Sequence, residues 1–145
     1  MIDHISTLIC LQSIVNEETK NITLVEIIEQ FNVDSVLLSK EEQSIILKNF
    51  ELVSFWRRKN KDQPSQALAR LDFIAPSGNT LIQKEYEIDL SKNLRCNAIF
   101  KINGLEIKEE GDYEFHIQLM EKGKTMWKSV GKALLPIVFE QPTYP

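Results

Sequence analysis

Between Ile82 and Leu90 the chain reads Ile-Gln-Lys-Glu-Tyr-Glu-Ile-Asp-Leu, and from Tyr113 to Leu119 it reads Tyr-Glu-Phe-His-Ile-Gln-Leu. In a strand, successive side chains point to opposite faces, so this pattern sets Tyr86, Ile88 and Leu90 against Glu85, Glu87 and Asp89. It likewise sets Tyr113, Phe115, Ile117 and Leu119 against Glu114, His116 and Gln118. Strands with one wet face belong to antiparallel sheets, which points to an all-β fold.

Six further segments carry strand signals. They are His4 to Val15, Ile22 to Val33, Phe50 to Arg57, Ala67 to Ala75, Asn97 to Ile107 (weakened at Gly104), and Met126 to Phe139. Polar turns separate several of them: Asn16–Asn21, Pro76–Asn79 with Gly78, and Glu121–Lys124. Ile22 to Val33 is ambiguous, because Leu24, Ile27, Ile28 and Phe31 also form a helical stripe. Its place after a hairpin-like turn favours a strand. Ser39-Lys-Glu-Glu42 matches a capping box and predicts a short helical turn at about residues 40–47. The expected architecture is an antiparallel β-sandwich of about eight strands, immunoglobulin-like or related in topology, with at most one short helix. Residues 1–140 are expected to form one domain and residues 141–145 a flexible tail.

Glu109-Glu-Gly-Asp-Tyr113-Glu-Phe115 resembles the Gly-x-Tyr corner that introduces the penultimate strand of immunoglobulin-like sandwiches. In that resemblance the tyrosine hydroxyl bonds back to nearby backbone, Phe115 takes the place of the second core cysteine, and Trp56 stands for the core tryptophan. More widely, the chain resembles a family of small bacterial proteins of unknown function. The residues that carry this likeness are Leu8-Ile-Cys10, Asn21-Ile-Thr-Leu24 with Glu29, and the closing Gly-x-Tyr-x-Phe hairpin, over roughly residues 4 to 138. The resemblance implies a β-sandwich and tips Ile22 to Val33 towards strand. It brings no catalytic residues.

Seventeen basic and 21 acidic residues give a formal net charge of −4, which argues against a general nucleic-acid binder. The run Ile5 to Val15 fails as a signal peptide: Asp3 precedes it, no Lys or Arg comes before Lys20, and no small-residue cleavage site follows. It is too short and too polar to span a bilayer, so a cytoplasmic location without membrane contact is expected.

His4, His116, Cys10 and Cys96 show no close metal-ligand spacing, and neither a nucleophile elbow nor a Gly-rich phosphate loop occurs. A surface histidine at 116, buried thiols, no cofactor and no enzymatic activity are therefore expected. The acid ladder Glu85, Glu87, Asp89 reads as a solvated face, since calcium sites draw their oxygens from a tight loop. Two basic clusters flank tryptophans: Arg57, Arg58, Lys59 and Lys61 after Trp56, and Lys122 and Lys124 before Trp127. These clusters are the tentative binding residues, with Trp127 the better exposed contact and Trp56 expected in the core. The favoured reading is a non-catalytic module that binds another protein, or a second copy of itself, through loops or an edge strand. The alternative is a ligand module for an anionic polymer or nucleotide using Trp127 and the basic loops.

Overall fold

The computed structural model describes residues 1–34 and 44–140, which form eleven strands and no helix. In chain order these are β1 (Ile2–Val15), β2 (Ile22–Ile27), β3 (Phe31–Asp34), β4 (Ile45–Ile46), β5 (Phe50–Arg58) and β6 (Ser65–Ile74). They continue with β7 (Thr80–Leu90), β8 (Arg95–Ile102), β9 (Glu106–Ile107), β10 (Gly111–Glu121) and β11 (Lys128–Glu140). A four-stranded sheet runs β2-β1-β5-β8, a five-stranded sheet runs β3-β11-β10-β6-β7, and β4 pairs with β9.

The chain is thus all-β, but it departs from the expectation in five ways. The count is eleven rather than about eight. The Asn97 to Ile107 segment breaks at Gly104 (φ 68°) into β8 and β9. Ile22 to Val33 divides into β2, which pairs with β1, and β3, which pairs with β11 of the other sheet. At that crossing Ile28 and Phe31 turn into the core, whereas Ile27, another member of the apparent helical stripe, stays exposed on β2. Because β3 runs parallel to β11, the five-stranded sheet is mixed rather than wholly antiparallel. Ile45 and Ile46, expected in a helical turn, form β4 instead. The capping box at 39–42 and the tail 141–145 lie outside the described residues.

One core lies between the two large sheets, and its centre is aromatic. Phe115 of β10 stacks on Phe73 of β6 at 4.2 Å between centroids, and Phe50 of β5 meets Phe115 edge-on at 6.4 Å. Alternation delivers these contacts. In β6, Ala67, Ala69, Leu71 and Phe73 are buried, and in β10 so are Tyr113, Phe115, Ile117 and Leu119. Leu52 and Trp56 of β5 face them from the other sheet and are fully buried.

The corner before β10 closes as its sequence implied, with the Tyr113 hydroxyl donating to the Glu109 carbonyl at 2.7 Å. Gly111 enters the strand at φ 132°, and a Cβ there would stand 2.9 Å from Pro76, so both its backbone and its surroundings require glycine. Tyr113→Phe is expected to cost about 1 kcal/mol in denaturant unfolding, the usual worth of one partly buried hydrogen bond. An unchanged urea midpoint would show that the hydroxyl contributes no net stability.

Beyond Cys10 the first hairpin is tied back onto the four-stranded sheet. Glu51 Oε1 accepts from the Ser13 amide at 3.2 Å and its hydroxyl at 2.5 Å, and Asn21 Oδ1 accepts from Arg95 at 2.7 Å. Glu51 is thereby a buried but satisfied carboxylate, as burial of a charge requires. Cys10 and Val53, on the side of the sheet away from the main core, are fully buried. Burial and the Glu51 charge both push the Cys10 thiol up, as burial does for Cys96. Such thiols are poor nucleophiles.

Candidate functional site

The two large sheets end side by side, β8 being the last strand of one and β7 the last strand of the other. Tyr86 of β7 bridges the two edges by meeting the Phe100 ring edge-on at 4.7 Å. Beside that contact the edges part into a cleft of about 1080 Å³. Its β8 wall is made of consecutive residues, Ile99, Phe100, Lys101 and Ile102, followed by the turn through Gly104 to Glu106. Ile82 and Lys84 line the β7 wall, and Leu71 of β6 forms part of the lining at depth.

Consecutive residues can line a cleft only when the strand presents its edge rather than one face, because side chains alternate. β5 occupies one side of β8 through eight paired residues. The other side has no strand neighbour among the described residues. Backbone N–H and C=O groups there are available to a further strand. Lys84 is drawn to the inner face of β7, opposite Leu71, by the register of that hairpin. Among the described residues neither Lys84 nor Lys101 takes part in an ion pair. The cleft therefore combines an open backbone edge, apolar side walls and two unpaired cations.

The tentative binding residues are distributed differently from a single patch. Arg57 lies opposite Asp3 and Arg95 and is exposed. Arg58 is half-buried, with Nε shielded from solvent. Lys59 pairs with Asp3 at 3.4 Å, and its amide bonds the Met1 carbonyl at 3.0 Å. Lys61 is exposed in the turn after β5, and Lys122 donates to Gln66 at 3.2 Å. The two basic loops do approach one another, for Lys59 and Lys124 line one depression of about 470 Å³ at an end of the fold. Trp127 does not join them. It is half-buried beneath Arg70, whose guanidinium sits 4.5 Å from the ring centroid and also donates to Gln118. The expected exposed contact residue thus has one face already covered, because a cation–π stack within the sheet competes for it.

His116 lies on the outer face of the five-stranded sheet, where Nε2 is 2.6 Å from Glu114 Oε2. Lys132 reaches the other oxygen of Glu114 at 3.2 Å. These two partners hold the Glu114 carboxyl below its ordinary range, the hydrogen bond to His116 contributing most. Strand geometry accounts for the arrangement, since Glu114 and His116 share one face of β10 and His116 faces Lys132 and Asp72 across the neighbouring strands. No three potential metal-ligating side chains converge among the described residues.

The other histidine behaves differently from a surface group. His4 is half-buried at the edge of the core, meeting Trp56 edge-on at 5.0 Å, with Nε2 2.6 Å from Thr7 Oγ1. Thr7 Oγ1 in turn lies 2.9 Å from Ser54 Oγ, and Ser54 is fully buried. Tyr86 Oη and Trp56 Nε1 extend this polar seam without a direct hydrogen bond of good geometry. Burial pushes the Tyr86 phenol up to about 12 against the opposing influence of Ser54 and Trp56. Sequence reasoning missed the seam. A polar residue at an inward position, Ser54 between Leu52 and Trp56 in Leu-Val-Ser-Phe-Trp, was the available signal.

No family model matches the chain, and no curated protein matches it. Among solved structures it is similar to a protein from Bacteroides fragilis named as a "putative beta-galactosidase", with 16% identity and a TM-score of 0.41. The matched region covers 77% of this chain and 18% of that one. The chain therefore spans less than a fifth of the length of that neighbour.

Proposed function

We propose that the protein is a non-catalytic binding module that takes an extended segment of another protein onto the free edge of β8. On this reading the fold is a β-sandwich of immunoglobulin-like or related topology, akin to the small bacterial proteins it resembles. It works in the cytoplasm, where its two free thiols stay reduced.

The observation that carries the reading is the row Ile99–Ile102, presented edge-on to an apolar cleft with a strand neighbour on one side only. Strand addition supplies affinity through main-chain hydrogen bonds and specificity through pockets for alternate side chains. Here the alternate side chains of the guest would enter beside Ile82, Phe100 and Leu71. Lys84 and Lys101 would favour a segment carrying acidic residues between its apolar ones. Glu106 alone opposes them in the cleft.

Affinity purification from the native cell, with and without the Lys84→Glu and Lys101→Glu pair, tests the site. Both lysines are exposed, so the fold should persist, and like-charge repulsion should reduce capture at least about tenfold. The comparison variant is Arg57→Glu with Lys61→Glu. Arg58 is avoided there because a carboxylate at that half-buried position would disturb folding. Capture that survives the cleft variant but fails with the loop variant would move the site to the basic end.

A second reading is favoured by the approach of Lys59 to Lys124 across the end depression. It takes an anionic polymer or nucleotide as the ligand, and a steep fall of binding with salt would distinguish it.

A further inference from the structure

The seam that begins at His4 joins the two sheets at a single ring. His4 belongs to β1 of the four-stranded sheet, yet its imidazole lies against Gly131 of β11 in the other. A Cβ built on Gly131 would stand 2.4 Å from His4 Cε1 and 2.6 Å from Nδ1. The slot is completed by Trp56 at 5.0 Å and by the Thr7 hydroxyl at 2.6 Å. The ring also bonds the backbone of Val130, on the strand it crosses to. Gly131 is therefore the absence of a side chain that the ring requires, and Ser54 behind Thr7 keeps the hydroxyl in line at 2.9 Å.

The same ring lines the end depression of about 470 Å³. We propose that His4 is a proton-operated latch between the two sheets. Neutral, it closes the core at this end; on taking up a proton it leaves its slot for the depression and frees β1 from β11.

The surroundings of the ring explain why a proton unseats it. On the core side its neighbours are the Thr7 and Ser54 hydroxyls and the Trp56 indole, none of which carries charge near neutrality. On the depression side stand Asp3 of β1, Lys59 after β5, Glu121 at the end of β10, Lys124 in the turn after it, and Lys128 of β11. The Met1 amino group, at the same rim, is held on Ser65 Oγ at 3.3 Å. Both carboxylates are engaged, Asp3 with Lys59 and Glu121 with the Ile2 amide at 3.0 Å. An imidazolium in the slot thus faces four cations, Lys59, Lys124, Lys128 and the Met1 amino group, against two carboxylates, of which Asp3 is already ion-paired. Solvent in the depression that the ring already lines offers it hydration.

Burial accordingly holds the His4 pKa below its ordinary 6.5, against the raising effect of the Val130 backbone bond. The sign for folding follows from linkage. The unfolded chain binds the proton more readily than the folded one, so the stability due to neutral His4 is complete above about pH 6.5. It is lost as the pH falls from there towards the lower folded-state value.

The test uses the full chain with Trp127→Phe, which leaves Trp56 as the only tryptophan. Between about pH 8 and about pH 5, Trp56 emission should change in one single-proton step with its midpoint below 6.5. The far-ultraviolet circular dichroism should stay constant. His4→Gln in the same background should abolish the step. Flat emission in the parent, or a step that persists in His4→Gln, overturns the latch. Should His4→Gln fail to fold, proton NMR of the unmodified chain decides between the same outcomes. The imidazole near Trp56 should titrate together with a shift of the Gly131 amide, and titration that leaves that amide unmoved overturns the proposal.

Discussion

Phe115→Ala is expected to remove about 3–5 kcal/mol of folding stability, the range for deleting a buried phenylalanine. The ring is fully buried, stacked on Phe73 at 4.2 Å, and touched edge-on by Phe50 from the opposite sheet at 6.4 Å. Its removal therefore strips contacts from both sheets at once, and neither backbone can collapse into the gap without breaking its ladder. A domain of this kind has only about 5–15 kcal/mol in total, so the variant should sit close to its folding threshold. Urea unfolding would show a much lower midpoint with an unchanged slope. A loss under about 1 kcal/mol would mean that the aromatic cluster is not the packed centre of the molecule.

Gly131→Ala should be the next most damaging small change, for a reason that owes nothing to glycine's backbone freedom. No left-handed φ is recorded at Gly131; what matters is the methyl group, which would overlap His4 Cε1 at 2.4 Å. Real Cβ atoms do not approach so closely, so either the ring leaves its slot or β1 and β11 separate. Overpacking of this sort costs about 1–3 kcal/mol. A double-mutant cycle with His4→Ala separates the causes. In the His4→Ala background the alanine at 131 has room, and its cost should fall by more than about 1 kcal/mol. An equal cost in both backgrounds would locate the damage in β11 itself and remove the support this contact lends to the latch.

Tyr113–Leu119 and Ala67–Phe73 were readable because each faces one core and one solvent layer, and their two-residue period survives intact in the burial pattern. Ile22–Val33 was not, because it serves two sheets in turn and its register changes at the crossing. The corner at Tyr113 could be anticipated from Glu109 to Phe115 because the hydrogen bond closing it spans only four residues. The ring slot of His4 could not, since His4 and Gly131 are far apart in the chain and neither is unusual in its own strand. The basic clusters show the same division. Lys59 and Lys124 do approach one another, whereas Trp127 is claimed by Arg70 from a strand it never meets in sequence.

The alternation of apolar and polar side chains, by itself, determined that this chain is built of strands, where most of them run, and which residues enter the core. These are local properties, set by a pleat of period two and by turn residues that act over a few positions. Only the tertiary structure decided which strands stand at the edges, that β7 and β8 open a cleft between them, and that an imidazole fills the space left by a distant glycine. Those outcomes depend on pairing order and on steric fit between residues remote in the chain. No local pattern encodes a contact whose two halves each look ordinary alone.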